Sequence, residues 1–180
     1  MSMYEEREDS AMLADAVMKH AKGKVLDVGT GKGIQAVTAA KKSNVQQVFA
    51  ADIDKDAIDY CKKNIQSRKI IFKVSDLFSA VEGKFDTIIF NPPYLPEERF
   101  AKTEDKALYG GKEGFETIER FFNQVDEYLD ENGAILLVFS SLTQKKKVDE
   151  IIKKKGFLAK LLEKKHFFFE DLFVYLIRRR

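Results

Sequence analysis

The sequence is poor in the residues that build disulfide frameworks and metal centres. Its 180 residues include one cysteine, Cys61, and two histidines, His20 and His166. One cysteine excludes an intramolecular disulfide framework and a thiolate metal cluster. The two histidines are too few and too far apart in sequence to indicate a metal site. We therefore expect no metal centre.

Long apolar runs and a strong charge bias are also absent. No stretch approaches membrane-spanning length and no signal peptide is visible, which predicts a cytoplasmic protein with no membrane partner. The net charge of +2 does not by itself indicate a nucleic-acid binder. Apolar residues make up 44% and charged residues 33%, as is typical of a globular protein. Without repeats or linkers, residues 1–180 are expected to form one domain.

Apolar runs alternate with helical patterns along the chain. The helical patterns lie near residues 12–17, 34–41, 55–66 and 148–152, and the apolar runs are 25–28, 47–51, 70–74, 85–90 and 134–139. Unbroken apolar strands between helices predict a parallel sheet covered on both faces, and right-handed crossovers make it a doubly wound α/β fold. Two last runs, near 157–162 and 172–177, have no helix between them. They predict an antiparallel hairpin at one edge, and thus a seven-stranded, mostly parallel sheet with an antiparallel C-terminal strand.

Two local patterns give finer expectations. Asp9 or Ser10 stands where a helix N-cap would precede the first helical pattern. Apolar residues at helical spacing also predict one stripe of a long helix. The stripe consists of Phe115, Ile118, Phe121, Phe122, Val125 and Leu129.

The most informative segment is Asn91-Pro92-Pro93-Tyr94, which follows the apolar run 85–90 directly. Proline has no backbone N–H, so this loop offers carbonyl acceptors, such as that of Pro92, and almost no donors. The Asn91 side chain adds another acceptor, and Tyr94 adds an aromatic face. Such a loop suits a planar –NH2 group held through its two hydrogens. It predicts an enzyme that acts on a weakly nucleophilic amide or aryl amine.

A glycine-rich turn ends the first predicted strand. In the segment 27–33, Gly29 and Gly31 would let the backbone approach a ligand closely. The spacing Gly-x-Gly-x-Gly differs from the dinucleotide fingerprint, and Asp27 would place an anion beside a diphosphate. A cationic ligand fits this turn better.

Aspartates also end the next two predicted strands. Asp52 can accept hydrogen bonds from both hydroxyls of a ribose, and Asp76 can accept one from an adenine amine. S-adenosylmethionine (SAM) carries an amine, a sugar, a ring and a sulfonium cation. The three acids and the glycine turn therefore predict a SAM site. The alternative is that each aspartate only caps a following helix.

With both halves of a site in place, the chain resembles class I SAM-dependent methyltransferases. More narrowly, it resembles the short-form HemK-like family, of archaeal and eukaryotic type, which methylates a glutamine of release factors. Glu6 stands where that subgroup has a proline. The matching segments are Tyr4–Ser10, Asp27–Gly33, Ser75–Phe78, Asn91–Tyr94 and the Gly-Gly-x-x-Gly of Leu108–Gly114.

The resemblance implies roles around the cofactor. Ser10 and Asp27 would lie near the methionine end of SAM, and Gly29 and Gly31 would approach it through backbone. Asp52 would bind the ribose.

It also implies roles at the adenine and at the acceptor. Asp76 and the backbone of Leu77 would bind the adenine. Asn91 and the Pro92 carbonyl would hold the acceptor nitrogen, with Tyr94 packed on the amide.

The resemblance further implies a protein-(glutamine-N5) methyltransferase of translation termination. Its substrate would be the Gly-Gly-Gln loop of a class I release factor, and a small zinc-binding Trm112-like subunit would activate it. Two rivals remain. The Asn-Pro-Pro-Tyr segment is shared with methyltransferases that modify the exocyclic amine of adenine in RNA or DNA. A SAM-binding regulatory protein without turnover is the rival from another class. A small NAD-dependent reductase is disfavoured by the glycine spacing.

Overall fold

The computed structural model of the protein describes residues 8–97, 109–167 and 169–180. The helices are α1 (Glu8–His20), α2 (Ile34–Ala40), α3 (Lys55–Asn64), α4 (Glu116–Phe122) and α5 (Lys145–Lys154). The strands are β1 (Gly23–Val28), β2 (Val45–Asp52), β3 (Ile70–Val74), β4 (Phe85–Phe90), β5 (Leu95–Pro96), β6 (Tyr109–Gly111), β7 (Leu129–Ser140), β8 (Phe157–Phe167) and β9 (Glu170–Arg179). Within this part of the chain, no helix has the length and apolarity needed to cross a bilayer.

Seven strands form one sheet in the order β3-β2-β1-β4-β7-β9-β8. The pairs from β3 to β7 are parallel, and β9 runs antiparallel to both β7 and β8. The predicted seven-stranded, mostly parallel sheet with an antiparallel C-terminal strand is therefore confirmed. The short strands β5 and β6 pair separately, and the sequence patterns do not predict them.

Helices cover both faces of the sheet, as the unbroken apolar strands predict. On one face, α1 and α2 pack their buried side chains against alternate residues of β1, β2 and β4. On the other face, α4 and α5 form an aromatic-rich layer in which Phe121 stacks on Phe90 at 4.3 Å between ring centroids. Because β1 and β4 are neighbours, the loops that follow them meet at one end of the sheet. The chain reverses its direction of progress across the sheet at this point, where doubly wound proteins bind ligands.

The long helix predicted from the apolar stripe is wrong. Helix α4 ends at Phe122, a 3₁₀ turn covers Val125–Glu127, and Leu129 already begins β7. All the buried stripe residues nevertheless lie in one core cluster. Spacings of three and four residues occur in a short helix followed by a 3₁₀ turn as well as in one long helix. The pattern could therefore identify the buried side chains but not the backbone that places them.

The predicted N-cap of the first helix is also wrong. Helix α1 already includes Glu8, and both Asp9 and Ser10 are buried within its first turn. The Asp9 carboxylate accepts from the adjacent Ser10 N–H from within the helix, not from a capping position that precedes it. A real side-chain cap occurs at α3, where the Asp54 carboxylate accepts a hydrogen bond from the backbone N–H of Asp56.

The connection between β3 and β4 leaves part of the sheet uncovered. Residues 75–84, all of them described, contain no helix. On this face, beside edge strand β3, lies a cavity of about 240 Å³ whose lining includes Lys24, Phe49, Lys73 and Val81. The doubly wound arrangement is thus incomplete at one corner of the molecule.

Candidate active site

The turn after β1 combines unusual backbone with open space. Gly29 and Gly31 have φ of 68° and 52°, in the left-handed region that favours glycine. A Cβ at Gly31 would meet nothing within 4 Å, and one at Gly29 would lie 4.0 Å from the Asn91 carbonyl oxygen. Both glycines therefore present bare backbone to the space between the two loops. Gly33 differs, because a Cβ there would clash with Ile65 of the neighbouring segment.

Groups from β2 and α3 hold this turn in place. The N–H of Gly31 donates to Oδ2 of Asp52 at 2.8 Å, and its carbonyl accepts from Sγ of Cys61 at 3.2 Å. Burial and the nearby acids Asp27 and Asp52 raise the pKa of the Cys61 thiol to about 11. The thiol therefore keeps its proton at neutral pH and serves as a structural donor.

Asp27 lies beneath the turn and braces it. The side chain is 1% exposed, and its Oδ2 accepts from the Thr30 hydroxyl at 2.6 Å and from the Ala36 backbone N–H at 3.1 Å. The second bond satisfies a donor in the first turn of α2. The alternative that Asp27 only caps the following helix is thus partly correct. Asp27 does accept from a free N–H of α2, but it lies at the end of β1 and not at the residue before the helix.

Burial controls the ionisation of Asp27. Loss of water raises the pKa of this carboxyl from 3.8 to about 7, and repulsion from Asp52 adds to the increase. The hydrogen bonds from Thr30 and Ala36 act in the opposite direction. A cation bound nearby would favour the ionised form, which is the condition expected for a sulfonium or ammonium ligand.

Asp52 points back toward the turn at the end of β2. Besides the bond from Gly31, its Oδ1 accepts from the backbone N–H of Asp54 at 2.9 Å. Asp54, not Asp52, caps α3, so the capping alternative fails here. Ile53, which follows directly, is 67% exposed and offers an apolar surface beside the carboxylate.

Asp76 forms an ion pair that sequence reasoning misses. Its Oδ2 accepts from the Arg120 guanidinium of α4 at 2.8 Å, and both side chains are about half exposed. Such a pair adds little stability, on the order of 0–1 kcal/mol. It does orient the carboxylate, and Oδ1 can still accept a further hydrogen bond. No helix follows Asp76 among residues 77–84, so it is not a cap either.

The backbone next to Asp76 is strained. Leu77 has φ of 49°, a conformation that typically costs a branched side chain about 1–3 kcal/mol. The buried Ser75 hydroxyl holds it by donating to the Leu77 carbonyl and accepting from the Ala80 N–H, both at 3.0 Å. Backbone strain of this kind is often found at ligand-binding sites. Here it occurs at Leu77, whose backbone the resemblance assigns to the adenine.

The acceptor loop meets α1 through one polar contact. The Asn91 Nδ2 donates to the Ser10 hydroxyl at 3.2 Å, which directs Oδ1 of the same amide away from α1. Pro92 is buried, and Tyr94 is only 7% exposed within the apolar layer under α1 and α2. The predicted contact of Tyr94 with the target amide would therefore involve the small part of its surface that remains exposed.

The Gly-Gly-x-x-Gly segment supports this loop from behind. A Cβ at Gly110 would lie 2.6 Å from the Pro93 carbonyl oxygen, and one at Gly114 would lie 2.7 Å from that of Tyr94. Only glycine permits such an approach. The Glu116 carboxylate in turn accepts from the Gly114 N–H at 2.9 Å, which ties the segment to α4. The glycines thus fix the loop's backbone. Two other parts of the segments matched by resemblance, Tyr4–Arg7 and Leu108, lie outside the described residues.

Three polar contacts in the site carry different amounts of sequence signal. The Thr30–Asp27 bond spans three residues inside the recognised turn and could have been predicted. Arg120 is 44 residues from Asp76, and Gln35, whose side-chain amide donates to the Ser10 carbonyl, is 25 residues from its partner. No pattern in the sequence connects those pairs.

The sequence profile of the family described as "Methyltransferase small domain" matches residues 7–168. A protein of Methanocaldococcus jannaschii, named provisionally as a protein N5-glutamine methyltransferase, is 35% identical over 177 residues, covering 96% of this chain and 89% of its own. A release factor glutamine methyltransferase of Koribacter versatilis is 35% identical over 147 residues, 73% of this chain. The chain spans 52% of that protein and about half or less of the other bacterial relatives.

Solved structures show the same fold. The E. cuniculi Mtq2–Trm112 complex, which methylates the termination factor eRF1, matches with a TM-score of 0.79 and 24% identity, each chain covered in full. A ribosomal protein L11 methylase of Lactobacillus delbrueckii matches with a TM-score of 0.71 and 22% identity, over 97% of this chain and 80% of its own. The two proteins have different substrates, so the fold alone does not select an acceptor.

The raised pKa of Asp27 predicts how stability depends on pH. The folded protein keeps this proton up to about pH 7, whereas the unfolded chain loses it near 3.8, so the free energy of unfolding should fall as pH rises between those values. Asp27→Asn keeps the acceptor but cannot ionise. Urea unfolding at pH 5 and pH 8 should show the stability of the variant relative to wild type rising by about 2.5–3 kcal/mol between the two pH values. A difference independent of pH would contradict the assignment.

Proposed function

The chain belongs to the methyltransferase small domain family, and we propose that it methylates the side-chain amide of a glutamine in the Gly-Gly-Gln motif of a class I translation release factor. The family uses SAM, which supplies a methyl group on a sulfonium cation. The observation that carries the proposal is the Asn91 amide: its nitrogen donates to Ser10, and within the described residues its oxygen remains able to accept from an –NH2 group.

The residues of the site fit SAM. The bare backbone of Gly29 and Gly31 would approach its methionine end, near Ser10 and the carboxylate of Asp27. Asp52 would accept from the ribose while it holds Gly31. These residues provide acids for a cation and acceptors for hydroxyls. None of them is a lysine or arginine that would bind a phosphate.

The adenine would lie at the ends of β2 and β3. The exposed Ile53 offers apolar surface to the ring, and Oδ1 of Asp76 can accept from its amine while Arg120 keeps Oδ2. The strained backbone of Leu77 turns the chain at the same place.

Orientation and electrostatics would supply most of the rate. An amide nitrogen is a poor nucleophile because its lone pair is delocalised into the carbonyl. Oδ1 of Asn91 and the Pro92 carbonyl would accept its two hydrogens, which increases electron density on nitrogen and fixes its direction of attack. The glycine segment behind the loop keeps these acceptors in place. The nitrogen can release a proton to solvent after transfer, so no dedicated base is required.

A glutamine fits this loop better than an adenine. A nucleobase must be extracted from its stack and buried against an aromatic or apolar surface. Tyr94 is 7% exposed and leaves little of its ring for that purpose. The names of the relatives point the same way.

A cytoplasmic location would accompany a substrate used in translation. The expectation that residues 1–180 form one domain stays a prediction.

A Trm112-like subunit would bind at edge strand β3. Its Ile71 and Val74 are 41% and 44% exposed, and the neighbouring sheet face lacks a covering helix. The opposite edge, β8, carries Lys160 and Lys164 and a register shift near Leu161, features that protect an edge from pairing. The two edges therefore differ in the way expected if only β3 receives a partner. The Mtq2 structure contains a subunit of this kind.

The cofactor assignment predicts a loss of affinity on removal of Asp52. A charge-assisted hydrogen bond typically contributes about 1.5–3 kcal/mol, so Asp52→Ala should weaken SAM binding roughly tenfold to a hundredfold. Titration calorimetry measures this directly. Asp56→Ala, the same change on the exposed side of α3, serves as the control and should leave the affinity unchanged. Equal affinities for both variants would remove Asp52 from the site.

The acceptor assignment predicts a transfer that depends on one amide. With labelled SAM and the Trm112-like subunit supplied, wild-type protein should label a release factor but not its Gly-Gly-Ala variant, total RNA or DNA. Asn91→Ala should retain SAM affinity within a few-fold and lose about a hundredfold or more in turnover. Label on nucleic acid alone would establish the adenine rival. SAM binding with no transfer to any of these would favour the regulatory protein.

The partner assignment predicts that one edge of the sheet controls assembly. Ile71→Lys should abolish co-purification with a Trm112-like protein, because a charge would enter an apolar contact. Leu161→Lys, at an apolar position on β8 that is 48% exposed against 41% for Ile71, is the matched control and should leave the complex intact. Loss of the complex with the control alone would move the interface to the opposite edge.

A further inference from the structure

We propose that Gln35 is a positioning residue, which holds the Asn91 side chain in place through Ser10. Gln35 lies in the first turn of α2, and its own chemistry has no place in binding either substrate. The inference rests on the proposed function, since it concerns how the acceptor loop is aimed.

Gln35 is a poor choice for stability at its position. The side chain is 5% exposed, and its Oε1 is buried without any hydrogen-bond partner among the described residues. A buried polar atom that lacks a partner destabilises the folded state, because it has lost its bond to water. Its helix contributes Ala36 and Ala39 to the apolar cluster that also contains Leu13 of α1. An apolar side chain of the same length would avoid this penalty.

The other end of the Gln35 amide connects two elements. Its Nε2 donates to the Ser10 backbone carbonyl at 2.9 Å, and the Ser10 hydroxyl accepts from Asn91 Nδ2 at 3.2 Å. These two bonds join α2, α1 and the acceptor loop in one line. They cross 25 and 81 residues of sequence, so they exist only in the folded protein.

Among the described residues, the other contacts of α1 act elsewhere: the Lys42 ammonium donates to the Met18 carbonyl at the far end of the helix. Its inner face, formed by residues such as Met12, Leu13 and Val17, packs on the sheet through apolar contacts, which are non-directional. The bond from Gln35 is directional, and it holds the turn that contains Ser10. With Ser10 in place, Nδ2 of Asn91 donates to its hydroxyl, and Oδ1 lies on the other side of the same amide. A displaced Ser10 would lose this contact, and the Asn91 side chain would no longer be held at one position in the loop.

The test variant is Gln35→Met, which keeps the length and volume of the side chain and removes its hydrogen bonds. We expect the thermal midpoint to be unchanged or higher and the SAM dissociation constant to stay within a few-fold. We expect kcat for release-factor methylation to fall at least tenfold, with KM for the factor little changed. Thr38→Val is the control, because the Thr38 hydroxyl donates to Ile34 within α2 at 2.8 Å and reaches neither α1 nor the loop. It should retain wild-type kcat.

A double-mutant cycle separates alignment from general damage. If Gln35 acts through Asn91, then Gln35→Met should cause no further loss of kcat in an Asn91→Ala background. Multiplicative losses, or a Gln35→Met variant with a lower thermal midpoint or weaker SAM binding, would overturn the inference. So would an unchanged kcat in Gln35→Met while Asn91→Ala is inactive, and the proposed function would then stand. An active Asn91→Ala would instead overturn the proposed role of the loop.

Discussion

The parallel pairing of β1 with β4 is the constraint on which the site depends. These strands are far apart in sequence, yet residues 25–28 align with 87–90 in register. Their carboxyl ends therefore release the glycine turn and the acceptor loop side by side, so that a Cβ added at Gly29 would lie 4.0 Å from the Asn91 carbonyl oxygen. A methyl donor on one loop and a nitrogen on the other would meet without further rearrangement of the backbone.

Each loop is then braced from behind by neighbouring groups. Asp27 and Cys61 hold the turn from below, while Gly110 and Gly114 press on the carbonyls of the acceptor loop. Backbone that must approach a ligand closely cannot be held by bulky neighbours on its open side. The stabilising contacts consequently come from behind, and several of them require glycine or a buried polar group. The penalties visible in the structure, such as the raised pKa of Asp27 and the orphaned oxygen of Gln35, lie in this supporting layer.

The supporting layer is also where sequence reasoning was least successful. Local patterns identified the apolar strands, the glycine turn and the acceptor loop, because each is a continuous segment whose chemistry depends on its own residues. Asp9 or Ser10 was expected at a helix cap, because such residues near a helix start usually have that role. The structure instead places both in the first turn of α1, with the Ser10 hydroxyl against Asn91. The burial of Tyr94 in the apolar layer under α1 and α2 had no signal in the sequence.

The sequence by itself therefore determined the order of the strands and helices, the parallel sheet with its C-terminal hairpin, and the two loops that carry the chemistry. These properties follow from periodicity and from the donor and acceptor inventory of short segments. Only the tertiary structure decided which side chains support those loops: Arg120 on Asp76, and Gln35 on Ser10. The reason is physical. Those bonds join residues 44 and 25 positions apart, and they form only when the packing of the sheet and its helices brings the partners within hydrogen-bond distance.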